Sequence, residues 1–137
     1  MVEVRTANLT GKALTWAAIV ALGLEPVIAA TGICHKNDAG GWTYPIFESP
    51  FQVAELIERE WIGLERPSKG QKAPMWRAIT DRRFKKKLRP GDSDVLVVDA
   101  WGETSFLAVA RVFVMSRLGA CVTIPAELAA SAPASLG

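Results

Sequence analysis

Arg82, Arg83, Lys85, Lys86, Lys87 and Arg89 put six positive charges into eight residues, interleaved with Phe84 and Leu88. The chemistry open to such a cluster is attraction of polyanions. Clustered cations concentrate phosphates around themselves, and a ring such as that of Phe84 can stack on an unpaired base. The whole chain of 137 residues carries 16 basic and 14 acidic groups, so the part outside the cluster keeps 10 against 14, a balance of −4. Charge is therefore polarised along the chain. The partner this implies is nucleic acid or another polyanion, with a protein as the alternative.

Other residue types that could do chemistry are scattered. Glu55, Glu58 and Glu60 supply the paired carboxylates of acid and base catalysis, but Glu55 also stands four residues before Arg59, the favourable order for a helix-surface ion pair. A solvated face is the better reading, and a small enzyme built around Glu58 and Arg59 is the alternative. His35 beside Cys34 could pair a base with a nucleophile, yet no third group is nominated to orient them. Cys34 and Cys121 are far apart in sequence with no companion histidines, and Asp92, Asp94 and Asp99 lack the spacing of a calcium loop, so no metal or cofactor is expected. TGKALT has neither the leading glycine nor the following hydroxyl of a phosphate-binding loop, and reads as a helix start.

The elements that position these groups follow from periodicity and punctuation. VEVRT, Val2–Thr6, alternates valine with charge and suits a short strand. From Lys12 the apolar KALTWAAIVALGL could be the core of an export signal cut after Ala30 or a helix. Thr10 as a cap, Gly23 as a closing residue and Pro26 beyond it favour the helix. The apolar VIAA after it could be a short buried strand. Ser49, Pro50 and Gln52 begin a short helix ending near Glu60. WIGLER and MWRAIT read as strands joined by PSKGQKAP, and VLVV at Val95–Val98 reads as a central strand, with the basic segment as the tip of a hairpin. Thr104 caps a second main helix closed by Gly119, apolar on nearly every side apart from Arg111. An unpaired buried guanidinium is costly, so Arg111 is expected to bond a carboxylate, Glu58 first, or backbone carbonyls at a helix end. VTIP makes a short extended piece. Five tryptophans are expected to serve mainly core and rim packing.

Four blocks, in order, resemble the NinX family of lambdoid phages, small accessory proteins. VRTANLTGKALTWA is similar to the family's opening, LIERE at Leu56–Glu60 to its central block, Trp76 with Ala78 to a strand signature, and GETSFLAVAR at Gly102–Arg111 to its C-terminal helix. Leu118, Gly119, Val122, Ile124 and Pro125 complete that helix's exit. The resemblance runs from about Val4 to Leu128 and departs from the family at the basic segment after Thr80. It implies a folded N-terminal helix, and it marks Trp16, Glu58, Arg59, Trp76, Thr104 and Arg111 as family-like positions without assigning them a role. The family supplies no activity to transfer.

The expected fold is α+β: an antiparallel sheet of three to four strands, with the helices near 10–22 and 104–118 on one face and a short helix near 50–60. Residues 1–128 would form one globular domain and 129–137 a mobile tail. The expected function is that of a non-enzymatic accessory protein of phage type, cytoplasmic, acting by binding; an exported, surface-associated protein is a further alternative.

Overall fold

In the computed structural model, residues 1–45, 50–67, 70, 75–83 and 95–131 are described, eight of these (50, 51, 82, 83, 95, 96, 130 and 131) by backbone alone. The fold is α+β, and the described strands all pair antiparallel.

The central element is α3, Ser105–Leu118. Thr104 starts it as the sequence predicts, its Oγ1 accepting from Leu107 N at 3.1 Å. Ala108, Val109, Ala110, Val112, Phe113 and Val114 are fully buried, so this apolar run is enclosed by the rest of the chain. One flank is the sheet β5 (Gly63–Glu65), β6 (Trp76–Arg83) and β7 (Val95–Gly102), against which α3 packs through β6 and β7. Close approach is possible because the facing residues are small. Ala78 and Ala100 are opposite each other in the register, and Gly102 lies so near α3 that a Cβ there would fall 2.6 Å from Ala108 N.

On its other sides α3 meets α1 (Gly11–Ala21) and α2 (Pro50–Glu60). α1 ends as its punctuation predicts. Gly23 adopts φ +81, Gly23 N donates to Val20 O at 2.9 Å and Leu24 N to Ile19 O at 3.1 Å, the paired bonds of a glycine-closed helix. The chain's two extremities meet in a separate ribbon, β1 (Val2–Arg5) with β8 (Cys121–Ile124). Thr6, fully buried, ties this ribbon to the end of α3: its Oγ1 donates to Gly119 O at 2.7 Å and its N to Ala120 O at 2.9 Å.

A third sheet, β2 (Val27–Ala29), β3 (Gly32–Lys36) and β4 (Trp42–Thr43), lies where the sequence shows mostly loop signals. Its hairpin is held by Asn37, whose Oδ1 accepts from Ala39 N and Gly41 N, both at 3.0 Å. The strands thus divide among three sheets instead of the single one expected. Val27 and Ile28 are exposed, so the VIAA strand is not a buried one. β7 is also not central: β6 holds the middle of its sheet and β7 one margin, and Val97, on the face away from α3, is 62% exposed. Ala126–Ser131 forms a 3-10 helix; the rest of the expected tail, from 132, lies outside the described residues, as does the proposed cap Ser49. Among the described residues, no helix is long and apolar enough to cross a membrane.

Candidate functional site

The basic segment belongs to the hairpin of β6 and β7. Their register is unbroken from Trp76↔Gly102 to Arg83↔Val95, so the hairpin expected from the sequence is present and its strands are longer than MWRAIT and VLVV suggest. Arg82 and Arg83 are the last two residues of β6, opposite Leu96 and Val95. Phe84, Lys85, Lys86, Lys87 and Arg89 lie outside the described residues, between the two strands.

Beside the hairpin, α2 ends in a way the sequence did not foretell. Trp61 follows its last residue with φ +54, the only positive φ on a non-glycine among the described residues, and Ile62 N donates back to Ile57 O at 3.1 Å. This is the same closure as at Gly23, with tryptophan in the glycine position. Thr80, buried, fixes the turn to the sheet through Oγ1 donating to Glu60 O at 2.8 Å. β5 then begins at Gly63, paired with Ile79. Trp61 itself is 89% exposed. Sequence reasoning had placed it within the strand WIGLER. The signal available was a helix ending at Glu60 with no glycine to close it.

The acidic residues of α2 are distributed around arginines. Glu55 and Arg59 form the expected i, i+4 pair at 3.7 Å, and Arg59 Nε lies 3.9 Å from Glu60. Glu60 also receives Arg117 from the last turn of α3, while Arg117 stacks over Phe113 at 5.7 Å. Glu58 is exposed.

Arg111 is buried as predicted. Its Nε donates to Leu9 O at 2.9 Å and its Nη1 to Trp101 O at 2.7 Å, so backbone carbonyls, one of the two expected kinds of partner, are observed. Leu9 closes the short turn Thr6–Asn8 ahead of α1, and Trp101 belongs to β7. One guanidinium thereby joins three elements. Trp16 and Trp76 are half-buried against the core.

His35 and Cys34 are neighbours on β3, and adjacent residues of a strand point to opposite faces. Cys34 is buried with Sγ 3.7 Å from Val27 O, and His35 Nδ1 lies 3.1 Å from Lys36 O. Their geometry is not that of a nucleophile and its base. Both cysteines are free, and Cys121 is exposed. Among the described residues, no three His, Cys, Asp or Glu side chains cluster so as to hold a metal ion.

The outer face of the β5–β6–β7 sheet carries a further charge group. Arg77 Nε and Nη2 reach Asp99 Oδ2 at 2.9 and 2.8 Å, Nη1 reaches Glu65 at 3.2 Å, and the guanidinium lies 5.6 Å from the centre of the Trp101 ring. The bond to Asp99, then that to Glu65, holds the Arg77 guanidinium above its usual pKa.

No protein-family model and no curated protein matches the chain.

Proposed function

We propose that the protein is a non-enzymatic accessory protein of the phage type its sequence resembles, and that it binds nucleic acid through the basic segment Arg82–Arg89. The observation that carries this reading is the concentration of charge in the sequence: six cations in eight residues, in a chain otherwise at −4. The strands that flank the segment in sequence, β6 and β7, are paired through eight residues on each side. Cations grouped there attract phosphates irrespective of base sequence. Arg82 and Arg83, as the last paired residues of β6, anchor the segment to the sheet.

Fluorescence anisotropy with labelled single- and double-stranded oligonucleotides tests it, run on the parent chain and on a variant with all six cations changed to serine. The parent binds at low salt. If all six neutralise duplex phosphates, the logarithm of the binding constant falls against that of salt with a slope of about −5. The six-serine variant loses this binding. No binding by the parent at about 100 µM, the weak end of ordinary non-specific affinity, rejects the reading. So does binding that the six substitutions leave unchanged.

A further inference from the structure

We propose that the outward face of the β2–β3–β4 sheet binds a proline-rich segment of a partner protein in the polyproline II conformation. This site is independent of the basic segment and is built entirely from other residues.

The register sorts the side chains of this sheet onto two faces. Val27 is opposite Cys34 and Lys36 is opposite Trp42, so these four share one face, while Ile33, adjacent to Cys34 in β3, points to the other. Tyr44 belongs with the first set, because its Cδ2 lies 3.7 Å from where a Cβ on Gly32 would stand, two residues before Cys34. Ile33 is part of the core cluster, whereas Cys34, although buried, is not. The Ile33 face is therefore the inner one and the Cys34 face looks outward.

An antiparallel sheet with one wet face ordinarily carries polar residues there. This one carries Val27, Trp42 and Tyr44 at 39%, 54% and 46% exposure, and Lys36 is the single charged residue that the three strands place on it. Apolar residues gathered on an open sheet face gain from burial only when a partner covers them.

Hydrogen-bonding capacity selects the partner. The Trp42 indole N–H and the Lys36 ammonium can only donate, the Tyr44 hydroxyl can donate, and none of the three side chains is hydrogen-bonded among the described residues. The nearby amide of Asn37 is taken up by the hairpin, Oδ1 accepting from Ala39 N and Gly41 N and Nδ2 donating to Thr43 Oγ1 at 3.2 Å. The strands thus present donors over an apolar floor, with no carboxylate or amide on that face to accept. A sugar needs acceptors for its own hydroxyl protons, nucleic acid would meet a single cation, and a second copy would bring the same donors. A proline-rich segment is the complement. Lacking N–H groups, its prolines present carbonyl acceptors alone, their rings are apolar, and the polyproline II form exists before binding, so little conformational freedom is lost. Segments of this kind dock on aromatic-lined surfaces. Trp42 and Tyr44, two residues apart in extended chain, stand about 7 Å from one another, within one polyproline turn of about 9 Å.

The test is an NMR titration of the ¹⁵N-labelled chain with a peptide of about ten prolines, and, as controls, with a glycine–serine peptide of equal length and with cellohexaose. The parent should show saturating shifts of the Trp42 indole N–H and of the Lys36 and Trp42 amides by about 1 mM proline peptide, and no shifts with either control. Trp42→Ala should weaken binding about tenfold, and Tyr44→Phe, which keeps the ring and removes the hydroxyl, about fivefold. Both side chains are about half exposed, so both variants should keep the amide spectrum of α3. The variant with all six cations of the basic segment changed to serine should bind the peptide as the parent does, which separates this site from that one. Absence of shifts in the parent, an equal response to the glycine–serine peptide, or affinity unchanged in Trp42→Ala overturns the proposal. Saturation by cellohexaose in place of the proline peptide assigns the face to sugars and overturns it equally. Loss of peptide binding in the six-serine variant overturns the site's independence.

Discussion

The two faces of the β5–β6–β7 sheet are built on opposite terms. The inner face presents Ala78, Thr80, Ala100 and Gly102 to α3, and all four are buried. The outer face presents Arg77, Asp81, Val97, Asp99 and Trp101 to solvent, with Val97 62% and Trp101 46% exposed. Small residues inside let helix and sheet backbones come close, so every atom there is constrained by a neighbour. Outside, the polar groups satisfy one another across strands, and water can replace any of them. The difference teaches where this fold is specified: in the fit between α3 and two strands, and not in the more numerous charges on the open side.

The largest expected effect is at Arg111, which links α3 to both Leu9 and Trp101. Arg111→Ala leaves two carbonyls in the interior without this donor and opens a space beside them. Destabilisation of about 3 kcal/mol is expected in chemical denaturation. An unchanged midpoint would mean that water enters and that the inner side is less closed than its packing indicates.

Next comes Gly102→Ala. The added methyl would lie 2.6 Å from Ala108 N and 3.0 Å from Leu107 Cβ, and the first of these is backbone that cannot rotate away. The strand end and the first turn of α3 must separate, at about 2 kcal/mol. The same substitution at Gly41, where the nearest atom is 3.4 Å away at the end of the Asn37 side chain, is the control for this geometry.

Much of the inner architecture was legible because its signals are local. Thr104 and Gly119 bracket α3, Gly23 ends α1, and Pro50 starts α2, each by a backbone requirement that few residue types meet. The burial of Arg111 was legible too, since a helix apolar on all other sides leaves a guanidinium nowhere to go. Its partners were not: one is a carbonyl 102 residues away, and every residue has a carbonyl. The same limit hid β2, β3 and β4, strands of three, five and two residues, too short to show an alternation. Asp81, Arg82 and Arg83 looked like hairpin tip because charged residues are poor strand formers, but pairing with Val97, Leu96 and Val95 outweighs that preference. Trp61 was missed because an aromatic ahead of Ile62, Gly63 and Leu64 resembles a strand start, and nothing in composition reports a positive φ.

Thr80→Val probes the seam where the inner face meets α2. Valine keeps the shape and the branched Cβ but removes the donor to Glu60 O, so the expected loss is about 1 kcal/mol. A second readout is specific to the turn. Hydrogen exchange of Ile62 N, which closes α2 on Ile57 O, should quicken in this variant more than that of Leu24 N, which closes α1 on Ile19 O. Equal protection at both sites would show that the hydroxyl contributes to the whole core and not to this junction.

The smallest effect belongs to the outer face, although Arg77 makes several charged contacts there. It bonds Asp99 twice and Glu65 once and lies over Trp101. Each of these partners is open to water: the side chains of Glu65 and Asp99 are 58% and 42% exposed. On removal of the guanidinium both carboxylates regain hydration, and neither is left orphaned as the carbonyls beside Arg111 are. Arg77→Ala should therefore move the melting temperature by about 2 °C or less, and raising the salt concentration, which screens exposed pairs, should narrow even that difference. The two carboxylates do remain as like charges on adjacent strands, so any destabilisation should be greatest at low salt and relieved by Asp99→Asn in the Arg77→Ala background. Thermal melts of the single and double variants at low and high salt decide the matter. A large, salt-independent loss from Arg77→Ala would place the outer face among the determinants of the fold and erase the contrast between the two sides of the sheet.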